Sequence, residues 1–363
     1  MIKSCYVHIP FCEKICSYCD FCKMFYNEKI VDKYLDSLEE EIHTLYNGEE
    51  LDTLYIGGGT PSSLNLKQLE RLFEILNVFE KSKNIEFTVE CNFSNIDEDK
   101  LKLFKKSGVN RLSFGLETTN KKHLEFLERE EKLDKTINII NLAKSIGFNN
   151  INVDLMYALP GESIDDLKKD LEFIYSLDIE HISCYSLIIE DHTKLGIKDV
   201  KNISEELDFE MYNVICESMK KQGYKHYEIS NFGKEGFYSK HNLVYWNNLE
   251  YYGFGMGASS YIDNRRCSNT RSINKYLEGN YLLEEEYLEL EDLVYYEIML
   301  NLRKSDGIDL NKLYSKYKVV INYQELVNLG LVKVLNNKLF IPEDKWYISN
   351  DIIIRLLESV VYE

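Results

Sequence analysis

Proline is scarce in this chain, with four in 363 residues. No Pro- or Ser-rich stretch occurs either, so nothing reads as an extended linker between folded parts. No run of eighteen or more apolar residues is present, which leaves no candidate transmembrane helix. Positive charge is in deficit, with 43 Lys and Arg against 61 Asp and Glu and a formal net charge of −18. Broad affinity for nucleic acid needs clustered cations against phosphates, so no nucleic-acid partner is expected. The first residues, Met1-Ile2-Lys3-Ser4-Cys5, enter a strand directly and lack the apolar h-region of a signal peptide. Nine cysteines without a secretory context read as thiols in a reducing compartment, so a cytoplasmic location is expected and structural disulfides are not. The rest of the composition, 44% hydrophobic and 29% charged, is that of an ordinary globular protein. The length suffices for one large domain and a small one.

The first two thirds alternate between strand and helix patterns. Apolar runs at Cys5–Ile9, Leu51–Ile56, Ile85–Val89, Arg111–Phe114, Ile151–Leu155 and His181–Leu187 read as strands. Between them, segments with apolar residues at helical spacing cover Ile30–Tyr46, Leu66–Phe79, Asp97–Lys106, a stretch ending near Ile146, Ile164–Leu177 and Ser204–Gln222. Six β–α units in succession predict an α/β fold with a parallel sheet and outer helices, an open (β/α)6 barrel. Such folds place ligands beyond the C-terminal strand ends. Residues 1–222 are therefore expected to form the core domain. Residues 223–284 read as an aromatic- and glycine-rich connection. Residues 285–363, with helices around a hairpin at Val332–Leu335 and Lys338–Ile341 and a last helix over about Ser349–Val361, resemble a small winged-helix module. The acidic segments Glu284-Glu285-Glu286 and Glu289–Asp292 argue for a lid or packing role there rather than DNA binding.

Three cysteines, Cys12, Cys16 and Cys19, follow the first strand in a C-x3-C-x2-C array. Free cysteines are often simply buried, but these are interleaved with Glu13, Lys14, Ser17 and Asp20, which suits an exposed loop. Zinc, with Cys22 as fourth ligand, is a second reading, although structural zinc sites usually pair two separated knuckles. A third is a four-iron cluster. These clusters normally take four thiolates, so three leave one iron open to a small molecule with an amine and a carboxylate.

Other candidates fall at strand ends. Gly57-Gly58-Gly59-Thr60-Pro61 closes the second strand, where glycines let backbone approach a ligand; Gly-rich turns after strands are also common without function. It is no P-loop, because the Lys-Ser/Thr pair is missing. Glu90 ends the third strand as a partner for an ammonium or as a solvated strand end. Asp154 suits ribose hydroxyls or a helix cap. Arg129 suits a bidentate carboxylate contact or an exposed position on a helix. His241, beside Tyr245 and Trp246, reads first as a hydrogen-bonded structural histidine.

Together, His8-Ile9-Pro10-Phe11-Cys12, the cysteine triad with Tyr18 and Asp20-Phe21, Gly57–Pro61, Asp154–Tyr157 with Leu159-Pro160-Gly161, Tyr185-Ser186-Leu187, Tyr227–Phe232 and His241–Trp246 resemble one family. This is the coproporphyrinogen-III-oxidase-like branch of the radical S-adenosylmethionine (SAM) superfamily, and within it the HemW heme chaperones. The resemblance extends over about residues 2–360. It implies a [4Fe-4S] cluster on Cys12, Cys16 and Cys19 and SAM bound through Tyr6, Phe21, Gly58, Gly59, Thr60, Glu90, Glu117, Arg129 and Asp154. It also raises His241 to a heme contact, since imidazole is a common axial ligand of heme iron. Three positions depart from the family pattern. Phe21 stands where the oxidases carry a fourth cysteine, Glu130-Glu131 where a His is often found, and Ser259 where a His is usual.

The resemblance implies a chaperone that binds heme and delivers it to apo-hemoproteins, with an electron donor as a further partner. Two enzymatic alternatives stand beside it: oxygen-independent decarboxylation of coproporphyrinogen III propionates, and radical chemistry on another tetrapyrrole such as heme.

Overall fold

The strands form where apolar side chains alternate with small or polar ones, and five of the six helices that follow them begin at side chains that cap them. In the computed structural model, which describes residues 1–363, we number the nine strands of the main sheet in chain order. They are β1 (Ser4–Ile9), β2 (Leu51–Gly58), β3 (Lys81–Cys91), β4 (Arg111–Glu117), β5 (Ile151–Tyr157), β6 (His181–Ser186), β7 (Lys225–Glu228), β8 (Asn231–Gly233) and β9 (Tyr252–Phe254). Strands β1 to β6 lie side by side in sequence order, each parallel to the next. This is the expected partial (β/α)6 barrel.

Helices Glu28–Leu45, Leu66–Ile75, Glu98–Lys106, Leu133–Ile146, Ile164–Ser176 and Glu205–Lys221 follow the six strands. Asn27, Asp97 and Ser204 cap three of them by accepting a backbone N–H. Asn65 with Gln68 and Ser163 with Asp166 form reciprocal capping boxes. Each satisfies donors that the first helical turn leaves orphaned.

The two faces of the strands differ. Leu54, Ile56, Phe87, Val89, Leu112, Phe114, Val153, Leu155 and Ile182 are buried in the main core. The alternate residues, Tyr55, Glu90, Arg111, Ser113, Asn152, Asp154 and Ser183, line a cavity. Parallel strands are usually apolar on both faces, so this polar inner face marks the barrel interior as a site.

Two expectations are corrected. The stretch after Glu117 is not one helix to Ile146. It is a short helix, Lys121–Phe126, a break, and then Leu133–Ile146. Glu128 has a left-handed φ of 56°, and the Arg129 N–H caps the short helix by bonding the Leu124 carbonyl. Residues 223–284 do more than connect. Strand β9 adds to the sheet parallel to β1, and β8 adds antiparallel to β6.

The C-terminal residues have their own apolar core around Ile298, Leu302, Leu339, Trp346 and Leu356. They join the barrel through backbone hydrogen bonds from Ile229 N–H to the Arg303 carbonyl (3.0 Å) and from Ser305 N–H to the Tyr227 carbonyl (2.9 Å). No helix is long and apolar enough to cross a membrane.

Candidate cofactor site

A cavity of about 540 Å3 occupies the barrel interior and its C-terminal mouth. Cys12, Cys16 and Cys19 line it together with Phe21, Gly58, Gly59, Thr60, Glu90, Glu117, Arg129 and Asp154. Eleven of the thirteen residues anticipated from sequence therefore share one space. The other two, Tyr6 and His241, do not line it.

The cysteine loop leaves β1 and returns through a parallel pairing of Phe11–Cys12 with Met24–Phe25. Its middle is held by the Ser17 N–H on the Leu127 carbonyl and the Leu195 N–H on the Ser17 carbonyl, both at 3.1 Å. All three thiols are free. The Thr60 hydroxyl lies 3.6 Å from the Cys12 sulfur, and an Arg129 guanidinium nitrogen lies 3.6 Å from the Cys16 sulfur. Nowhere do three Cys, His, Asp or Glu side chains converge on one ion position, and Cys22 lies outside the cavity, its side chain packed against Gly257. Three thiols lining one cavity, with Cys22 outside it, suit a polynuclear cluster with one thiolate per iron.

The glycine turn at the end of β2 is packed too tightly for side chains. A Cβ on Gly57 would meet the Glu90 carboxylate at 2.8 Å, and one on Gly58, at φ 116°, would meet the His8 ring at 2.5 Å. Glu90 accepts from the Tyr55 hydroxyl (2.8 Å) and the Gly58 N–H (2.9 Å). Burial raises its pKa, and these donors pull it partly back.

Arg129 is buried at the mouth rather than exposed on a helix, because the break in the chain turns it inward. Its guanidinium bonds the Gly115 carbonyl (2.7 Å) and the Glu131 carboxylate (3.2 Å) and stands 3.6 Å from Glu117. Its Nε has no partner. Glu117 also accepts from the Tyr185 hydroxyl at 2.7 Å. Asp154 accepts from the Asn152 amide at 2.7 Å. Burial, and then the charge of Glu117, push its pKa up to about 7.

Sequence reasoning missed Glu131, Arg111, Asn152 and Ser183 as parts of this site. Glu131 is buried against Arg129, and burial raises its pKa to about 7. The signal for the other three was their inward parity on strands whose remaining residues are apolar. Tyr6 sits one layer below the cavity. Its hydroxyl is 2.9 Å from His8 Nδ1, and His8 Nε2 is 2.7 Å from the Cys22 carbonyl.

His241 is placed differently from the heme-contact expectation. It is 1% exposed, with Nδ1 at 2.8 Å from the Thr53 hydroxyl and Nε2 at 2.8 Å from the Tyr245 hydroxyl. Both ring nitrogens are engaged, and an axial ligand needs one free. The geometry fits a structural histidine, and heme ligation through Nε2 would need the Tyr245 hydroxyl displaced. Ser259 is exposed, with its hydroxyl 3.3 Å from that of Ser268.

Residues 6–174 match the radical SAM superfamily model. The chain is 39% identical to the heme chaperone HemW of Lactococcus lactis, over 93% of its own length and 90% of that protein's. It is 38% identical to HemW of Bacillus subtilis, over 97% and 98%. The chain belongs to the HemW family of radical SAM proteins. Its fold matches the Escherichia coli coproporphyrinogen III oxidase structure, a radical SAM enzyme, with a TM-score of 0.87 at 23% identity, covering 98% of this chain and 90% of that one. At that identity the match speaks for the fold.

Membership of the superfamily implies a [4Fe-4S] cluster and SAM. The residues present fit both. Three free thiols share the cavity mouth, a side-chain-free turn lies beside them, and the unpartnered Arg129 Nε is a buried donor awaiting an acceptor.

Proposed function

We propose that this HemW-family chain is a heme chaperone that binds a [4Fe-4S] cluster, SAM and heme and delivers heme to apo-hemoproteins. The observation that carries this reading is 38–39% identity to two heme chaperones along nearly the whole chain. Cys12, Cys16 and Cys19 would hold the cluster, with one iron left free of a protein thiolate for SAM. Gly58, Gly59, Thr60 and Glu90 would receive the methionine end, with Glu90 as counter-charge to the ammonium. Arg129 would meet the SAM carboxylate, Glu117 and Asp154 the ribose hydroxyls, and Phe21 the outer rim. Tyr6 would act indirectly, through His8, on the carbonyl that ends the cysteine loop.

The cofactor pair, when bound and reduced, supplies the means of making a carbon-centred radical; the residues named here bind, orient and shield it. Residues 1–222 would serve as the cofactor core, residues 223–284 would close its sheet, and the winged-helix-like residues 285–363 would cover its flank. The partners would be heme, an apo-hemoprotein and an electron donor, in the cytoplasm.

The test is an anaerobic assay of cluster-loaded protein with SAM, a strong reductant and coproporphyrinogen III, followed by a heme titration. We expect a heme-binding isotherm and no porphyrin product. Stoichiometric protoporphyrinogen with 5′-deoxyadenosine would replace the chaperone reading with the oxidase one.

A further inference from the structure

The cavity holds a buried cation whose charge no carboxylate answers. Arg111, the first residue of β4, is 2% exposed and lines the cavity. Its Nε has no hydrogen-bond partner, and no carboxylate reaches it. The contrast with the other cavity cations is direct. Arg129 is paired with Glu117 and Glu131 and Lys14 with Glu130, while Lys23 is only half-buried and bonds the Phe21 carbonyl at 3.2 Å. Glu90 is near enough to feel the Arg111 charge but does not pair with it; its oxygens are taken by Tyr55 and Gly58. A buried guanidinium without a counter-ion is costly, and such costs persist where a ligand will meet them.

Its depth says which ligand. Glu117, at the other end of β4, stands at the mouth with Arg129. The length of the strand separates Arg111 from it, about 20 Å between α-carbons. On the reading above, SAM would present its amine and carboxylate at the cysteines and Arg129, so its carboxylate would stay at the mouth, whereas Arg111 faces the floor. The interior already contains Glu90, Asp154 and Glu117, which disfavours a dianion such as phosphate. A planar guanidinium matches a carboxylate bidentately. The volume suits one ligand of modest size, so beside SAM only an arm of a larger molecule enters.

We propose that Arg111 is a carboxylate-binding residue on the floor of the barrel and receives a propionate arm of the tetrapyrrole. This rests on the heme-binding reading above.

The experiment titrates cluster-loaded, SAM-containing full-length protein with ferric protoporphyrin IX and with its dimethyl ester, in which the propionates are capped. For the unmodified protein the free acid should bind roughly ten- to a hundred-fold more tightly than the ester, the scale of one buried charge-assisted contact. Arg111→Gln should abolish that preference, leave SAM affinity in equilibrium dialysis unchanged, and leave the melting temperature equal or raised, since an unpaired buried charge has been removed. Arg111→Lys should keep part of the preference. Retention of the full acid-over-ester preference in Arg111→Gln would overturn the proposal, as would a loss of SAM binding, which would assign Arg111 to SAM's own carboxylate. A melting temperature lowered by several degrees in both variants, with the preference intact, would make Arg111 structural. If the unmodified protein binds neither porphyrin, the heme reading itself fails, a result distinct from any of these.

Discussion

His241 shows how burial decides between two uses of one side chain. Thr53 and Tyr245 occupy its nitrogens, and Tyr55 stacks on its ring at 5.0 Å. Burial, with the charge of Arg111, lowers its pKa to about 3, so it is neutral throughout the physiological range. We predict that His241→Ala leaves the heme absorption spectrum and heme affinity unchanged. Stability should fall by about 2–4 kcal/mol, from the lost ring and two orphaned hydroxyls. A changed Soret band at unaltered stability would restore the ligand role. That Cys12, Cys16 and Cys19 share one site was legible from spacing, because three thiols interleaved with charged residues in one short loop suit a metal centre better than a packed core. Arg111 was missed: it begins an apolar-looking strand, and its parity with Ser113 and Gly115 is the one signal that it faces inward.

At the scale of elements, the six strands could be read from their apolar runs because their outward-facing residues are consistently large and apolar. Strands β7 to β9 were not legible; three or four residues each are too short for a period, and their pairing depends on neighbours far away in sequence. The break at residues 127–132 was hidden for another reason. Leu124 and Leu127 keep helical spacing up to it and Thr136, Ile139, Ile140 and Ala143 keep it afterwards, and nothing in the composition signals the left-handed φ at Glu128. The turn after β5 offers a test of how such connections are stabilised. Glu162 accepts the Leu159 N–H at 2.9 Å, but its other oxygen has no partner, and burial pushes its pKa up to about 8. The folded state therefore keeps this proton where the unfolded chain loses it. The associated stability is fully present below about pH 4.5 and is lost as pH rises to about 8, at up to about 1.4 kcal/mol per unit. Glu162→Gln keeps the acceptor and removes the charge, so its advantage over the unmodified chain in urea unfolding should grow from pH 5 to pH 8. A constant difference would mean that Glu162 is ionised in the fold.

At the scale of the whole molecule, the barrel core and the C-terminal core meet along a seam of backbone hydrogen bonds and aromatic packing, with Trp346 on His226 at 4.4 Å and Tyr347 on Phe209 at 4.9 Å. The barrel core runs from Ile2 to Tyr276 and the C-terminal core from Val294 to Leu356. Between them pass the backbone bonds of Tyr227, Ile229, Arg303 and Ser305 and the bridge from Glu228 to Lys304. The cysteine loop is held by barrel residues, its middle packing on a small cluster with Leu127 and Leu195, so the cluster should not require the C-terminal core. Leu339 is fully buried in the C-terminal core, and Leu339→Ala should cost that core about 2–5 kcal/mol. Hydrogen exchange should then rise across residues 290–358 while the strands β1 to β6 stay protected, and the visible absorbance of the reconstituted cluster should persist. Loss of cluster absorbance in step with that exchange would mean that the two cores unfold as one unit. The seam would then be a structural joint, and the C-terminal residues could not move against the barrel without opening the cofactor site. Persistence would leave those residues free to shift over the flank of the barrel while the cofactors stay bound, which is what a protein that must first hold and then release a large ligand requires.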